Sequence, residues 1–256
     1  MVEPVAIVTG ASSGIGRATA LRLAQDFPNI VLAARAGEKL AAVAAQIRAA
    51  GRNALTLEVD LSESAAATQV IERTRAEFGR IDALLNIAGA VAGLDLFQLT
   101  DQQWDDGFAL KFHGARRLTL QAWEALRESK GAVVFMSGNA AVTPRASGAA
   151  VAAINAAIEA LAKAFADRGI QDGVQVNSVS PGAVMTGRRL AMPEKLATQQ
   201  SISLDEAKRK FLQQAGVARF GTAEEIAGLL AFTVSPAARW LTGTVLRMDG
   251  GEVKSL

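Results

Sequence analysis

The chain has 256 residues, half of them apolar and 20% charged, with 27 Lys and Arg against 25 Asp and Glu for a formal net charge of +2. That balance suits one large α/β domain with a substantial core, and it argues against disorder, a second domain or a nucleic-acid surface. With no cysteine and a single histidine, His113, disulfides and thiolate chemistry are ruled out and a His- or Cys-rich metal site is not expected.

The start, Met1-Val2-Glu3-Pro4, runs straight into an apolar segment and lacks the basic, then long apolar, pattern of a signal peptide. No uninterrupted apolar run approaches the roughly 20 residues that span a bilayer. Cytoplasm is the expected compartment.

In chain order, short apolar runs at 5–9, 30–34, 54–59, 83–85, 132–136, 174–179 and 245–248 predict strands. Between them, helical periodicity covers 39–50, 64–78, 104–128, 149–166 and 223–234. Strand–helix alternation of this kind predicts a doubly wound parallel sheet of about seven strands, the Rossmann arrangement, with helices on both faces. Residues 188–216 depart from the alternation and carry Pro193 and a charged helical stretch, which suits a lid over a substrate site. The segment 149–161 is small and apolar on most helical faces, so that helix is expected to be buried all round.

The first strand is followed by Thr9-Gly10-Ala11-Ser12-Ser13-Gly14-Ile15-Gly16 and then by a helix. Glycines at such a turn let the backbone approach a pyrophosphate, and the helix start offers it free N–H groups. In this strand–turn–helix context the motif predicts a dinucleotide site built on Gly10, Ser12, Ser13, Gly14, Ile15 and Gly16.

The spacing Thr9-Gly10-xxx-Gly14-x-Gly16 resembles that of the short-chain dehydrogenases/reductases, and further matches follow in order. Asp60-Leu61 resembles the family's adenine-contacting pair. Asn86-Ile87-Ala88-Gly89 resembles its Asn-Asn-Ala-Gly, with Ile87 replacing the second Asn. Asn177-Ser-Val-Ser-Pro181-Gly182 with Thr186 resembles its nicotinamide-side loop, and Leu241-Thr-Gly243 with Asp249-Gly250-Gly251 its C-terminal signature. The resemblance covers nearly the whole chain and implies one nucleotide-binding domain over 1–256. It adds Asp60, Leu61, Asn86, Ala88, Gly89, Pro181, Gly182 and Thr186 to the cofactor contacts. After the second strand, where an acid would bond the NAD ribose, stand Ala34 and Arg35. A guanidinium there can grip a 2′-phosphate, so NADP(H) is expected; the alternative is a solvated surface arginine.

The family's chemistry rests on a Tyr-x-x-x-Lys pair, an upstream Ser and an Asn on the preceding long helix. This chain has no tyrosine. At the four corresponding positions stand Lys111 for Asn, Gly138 for Ser, Val151 for Tyr and Asn155 for Lys. Lys111 is the substitute proton carrier to test, with Ser137, Asn139 and Asn155 as hydrogen-bond donors, although Lys111 on a solvated helix face fits the sequence too. His113 reads as structural, for want of a placed partner. In the resembling family the 104–128 and 149–166 helices meet other subunits, which implies a homo-oligomer, a tetramer above all. Two functions remain open. One is an NADP(H)-dependent oxidoreductase of a small carbonyl or alcohol with a nonstandard proton donor, and the other a catalytically silent NADP(H)-binding sensor or partner subunit.

Overall fold

The computed structural model describes residues 3–255. Within them the predicted apolar runs become β1 Val5–Thr9, β2 Asn29–Ala34, β3 Asn53–Glu58, β4 Ala83–Asn86, β5 Ala132–Met136, β6 Gln175–Pro181 and β7 Val245–Met248. They form one sheet in the order β3-β2-β1-β4-β5-β6-β7, with every neighbouring pair parallel. The expected doubly wound α/β fold is borne out, with strand ends displaced by a residue or two.

Alternation along β1 explains the two layers. Val5 and Ile7 face one apolar cluster, while Ala6 and Val8 face the other. The helices are α1 Gly14–Leu23, α2 Gly37–Ala49, α3 Ala66–Phe78, α4 Asp101–Gly107, α5 Ala115–Ser129, α6 Ala149–Asp172, α7 Gly187–Gln200, α8 Leu204–Ala215 and α9 Ala223–Thr233. The first cluster takes in residues of α3, α5 and α6, and the second residues of α1, α2 and α9. Each fully buried Val, Leu or Ile is worth roughly 1.5–3 kcal/mol, so strands covered on both sides are mostly apolar, and the buried polar side chains of β6 are hydrogen-bonded, as Gln175 and Asn177 are to the Leu241 carbonyl.

Two expectations are corrected. The single helix over 104–128 is instead α4, a seven-residue π-helical stretch Phe108–Gly114, and α5. Apolar periodicity read over the whole segment does not separate so short a π-helical stretch from the α-helix on either side. Helix α6 is not buried all round, because Ala153, Ala156, Ala160 and Ala164 are exposed along one face. Moreover, the helical run Ala146–Asp172 is long and apolar enough to cross a membrane by length and composition, although it contains no uninterrupted apolar run of that length. Its Ile158, Ala162 and Ala166 pack into the core beneath the sheet.

The segment 188–216 is α7 and α8. Thr186 caps α7 by accepting from the Arg189 N–H, and Ser203 caps α8 by accepting from the Glu206 N–H. Only Pro193 in α7 and Ala207 in α8 are fully buried, so this pair of helices rests on the body with little core of its own.

Candidate active site

The chain moves outward from β1 to β3 and returns to place β4 beside β1. Connections leave these two strands in opposite directions, which opens a crevice at their carboxyl ends. Thr9 joins the two ends. Its hydroxyl accepts from the Ile87 and Ala88 N–H groups at 2.8 and 2.9 Å and donates to the Leu85 carbonyl at 3.2 Å. Gly10 then turns with φ +65° while its N–H donates to the Ala33 carbonyl at 2.8 Å. At Gly16 a Cβ would stand 2.2 Å from the Gly10 carbonyl oxygen, so the turn closes only with glycine there. Helix α1 opens directly on the crevice, and Ser13 at its N-cap makes no side-chain cap bond. Its first-turn N–H groups therefore remain available to an anion.

The resulting cleft has a volume of about 470 Å³. Of the sequence-predicted residues, Gly10, Ser12, Ser13, Gly14, Ile15, Gly16, Arg35, Leu61, Ala88, Gly89, Pro181 and Thr186 line it, with Lys111 and Ser137. Asp60 lines an adjoining cavity of about 550 Å³ that shares Arg35, and the two side chains pair at 3.5 Å. Burial works against the Asp60 carboxylate, but hydrogen bonds from Ser62 and the Arg35 charge outweigh it and hold the group below the usual range.

Four predicted residues lie outside the cleft wall, and one of them, Asn155, still reaches Lys111. The buried Asn86 side chain turns to α5, donating to the Thr119 hydroxyl at 3.1 Å. Gly182 packs against the chain end, where a Cβ would stand 2.6 Å from that of Asp249. The Asn139 amide donates to Asp249 at 3.0 Å and Glu252 at 3.3 Å, tying β5 to the chain end rather than to a substrate. Sequence placed Asn86 in a motif and Asn139 near the site, but which way either side chain points was not legible.

Three of the four positions that the resemblance aligns with the family's tetrad, Lys111, Gly138 and Asn155, meet in one corner. The Lys111 stem crosses Gly89, where a Cβ would come within 3.0 Å of its Cδ. Its ammonium donates to the Asn155 side-chain oxygen and, at 3.4 Å, to the Ser137 carbonyl. A Cβ on Gly138 would stand 3.0 Å from the Asn155 amide nitrogen, so position 138 faces the same corner. Burial first, and then the Arg188 guanidinium, lower the Lys111 pKa from 10.5 to about 8 against the opposing pull of Glu159. Lys111 is thus on no solvated helix face. It lies within the π-helical stretch, whose wide turn is a frequent feature of functional sites. His113, two residues on, packs edge-on to Phe112, and burial followed by Arg116 and Arg117 lowers its pKa.

Two residues of this corner escaped the sequence reading. Ser137 donates its hydroxyl to Glu159 at 2.6 Å. The available signal was that Glu159 is the only charged residue between 149 and 162. Arg188, at the start of α7, reaches across the cleft and donates to the Gly89 carbonyl at 2.6 Å.

The short chain dehydrogenase family model matches residues 4–197. The chain is 32% identical over 249 residues to the short-chain reductase protein NovJ of Streptomyces niveus, covering 97% of this chain and 94% of that protein. It is 31% identical over 248 residues to the 3-oxoacyl-[acyl-carrier-protein] reductase FabG of Staphylococcus aureus, covering 96% of each. The crystal structure of L-sorbose reductase from Gluconobacter frateurii, complexed with NADPH and L-sorbose, superposes with a TM-score of 0.95 at 28% identity, covering 100% of this chain and 98% of that one. The fold and its crevice define a doubly wound nucleotide-binding protein of oxidoreductase type. The chain belongs to the short-chain dehydrogenase family.

Proposed function

We propose that this protein is an NADP(H)-dependent oxidoreductase of a small carbonyl or alcohol, with Lys111 carrying the proton that a tyrosine carries elsewhere in the family. The observation that carries this reading is the Lys111 ammonium, held in the cleft by Asn155 and Ser137 with its pKa lowered to about 8. A group titrating near working pH both gives and regains a proton readily.

The residues present fit the cofactor. The turn closes tightly only with glycine at 16, and the start of α1, with no side-chain cap, lines the cleft. Its pyrophosphate would be held by the backbone of residues 12–16, and a 2′-phosphate by Arg35 at the cleft mouth. When bound, the cofactor supplies or accepts a hydride at its nicotinamide ring. For reduction, Lys111 protonates the substrate oxygen, becomes a neutral amine, and regains its proton from solvent. Asn155 orients the ammonium, and the Ser137 carbonyl fixes its second direction.

The thinly packed α7 and α8 supply a lid, with Arg188 reaching to Gly89 as its contact across the mouth. We read 1–256 as one domain, cytoplasmic, in a homo-oligomer, a tetramer above all, whose contacts include the exposed alanine face of α6. One observation favours a silent NADP(H)-binding protein instead. The chain has no tyrosine, and the Ser137 hydroxyl and the Asn139 amide are both engaged by carboxylates. Single-turnover oxidation of bound NADPH over a panel of small carbonyls, with Lys111→Met as control, separates the two readings.

A further inference from the structure

Glu159 is a carboxylate in the catalytic corner for which the reaction above has no use. It lies four residues past Asn155 on α6, so the two side chains share one helix face, a turn apart. The Ser137 hydroxyl, at the end of β5, donates to it at 2.6 Å, a short charge-assisted bond. The carbonyl of the same Ser137 accepts from Lys111, and Asn155 accepts from that ammonium too. One positive and one negative group therefore flank a single buried serine. An ammonium in such a place needs an opposite charge, and among the described residues the carboxylate that acts on it is Glu159.

We propose that Glu159 is the internal counter-charge of Lys111, a positioning residue that acts through Ser137 to hold the ammonium in the cleft. This inference rests on the reading of Lys111 as proton carrier. The charged groups acting on Lys111 come from two elements. Arg188 of α7 opposes the ammonium and Glu159 of α6 favours it. Of the carboxylates at the chain end, Asp249 is held by Asn139, and Glu252 by Asn139 and the Ala183 N–H. A neutral side chain at 159 leaves Arg188 unopposed, so Lys111 loses its proton at lower pH.

The test labels lysine side chains with ¹³C at the carbon next to nitrogen and titrates them by NMR in the full-length protein without substrate. The Lys111 signal is assigned by its loss in Lys111→Met. Glu159→Gln keeps the shape and a hydrogen bond to Ser137, and it is expected to move the Lys111 midpoint down by on the order of one pH unit. Glu159→Asp, which keeps the charge, is expected to stay near the wild type. Should Glu159→Gln fail to fold, Glu159→Ala, which also removes the charge, is expected to move the midpoint in the same direction. Identical midpoints in the wild type and the folded variant overturn the proposal. A shifted midpoint in a protein whose turnover survives Lys111→Met upholds the counter-charge while removing Lys111 as the proton donor.

Discussion

The Lys111 ammonium donates to the side-chain oxygen of Asn155, 44 residues downstream on another helix. The family resemblance puts Asn at 111 and Lys at 155, so this chain carries the same two groups exchanged. One amide and one ammonium still meet in the same corner. What the exchange does not replace is the tyrosine.

The exchange has a consequence for stability against pH. The Lys111 pKa falls from 10.5 to about 8 in the folded protein, through burial first and Arg188 second. Between those values the unfolded chain binds the extra proton and the folded one does not, so folding stability rises with pH across this window. Below about pH 8 the penalty of the buried ammonium is fully present. Thermal unfolding of wild type and Lys111→Met should therefore show the wild type gaining on the variant as pH rises from 8 to 10. A gap that widens against the wild type over that range contradicts the buried ammonium.

Cofactor choice is expected to rest on Arg35, which lines the cleft mouth and pairs only at 3.5 Å with Asp60. NADPH should bind more tightly than NADH. Losing one charge-assisted contact in Arg35→Ala costs about 1.5–3 kcal/mol, or roughly ten- to a hundredfold in NADPH affinity, with little effect on NADH. Fluorescence titration of both cofactors measures this, and equal affinities in the wild type would exclude a 2′-phosphate contact.

Assembly is expected to use the exposed alanines of α6. Ala156 is exposed in the single chain, so Ala156→Asp leaves the fold intact and puts an unpaired charge into any interface there. Light scattering should report an oligomer for the wild type and smaller particles for the variant. A monomeric wild type refutes the interface.

The sheet was legible because burial on both faces forces apolar strands, and β1, β5 and β7 coincide with the predicted limits. The glycine turn was legible because its backbone path admits few residues. What sequence could not give was direction. Asn86 sits in a recognisable motif and Asn139 follows the β5 strand, yet Thr119 and Asp249 draw their side chains away from the cleft. The π-helical stretch that carries Lys111 is too short for apolar periodicity to single out, and Glu159 becomes meaningful only once β5 and α6 are seen to meet at Ser137.

Proton transfer by Lys111, in a chain without tyrosine, is the step on which the proposed reaction depends. Its most direct measurement is single-turnover oxidation of bound NADPH across a carbonyl panel, for the wild type, Lys111→Met and the variant Lys111→Asn, Gly138→Ser, Val151→Tyr, Asn155→Lys. General acid catalysis is worth roughly 10²–10⁴-fold, and the loss in Lys111→Met should fall in that range. The wild-type rate should fall above about pH 8, where the ammonium is lost. Turnover that survives Lys111→Met, or that appears only in the four-site variant, contradicts the account.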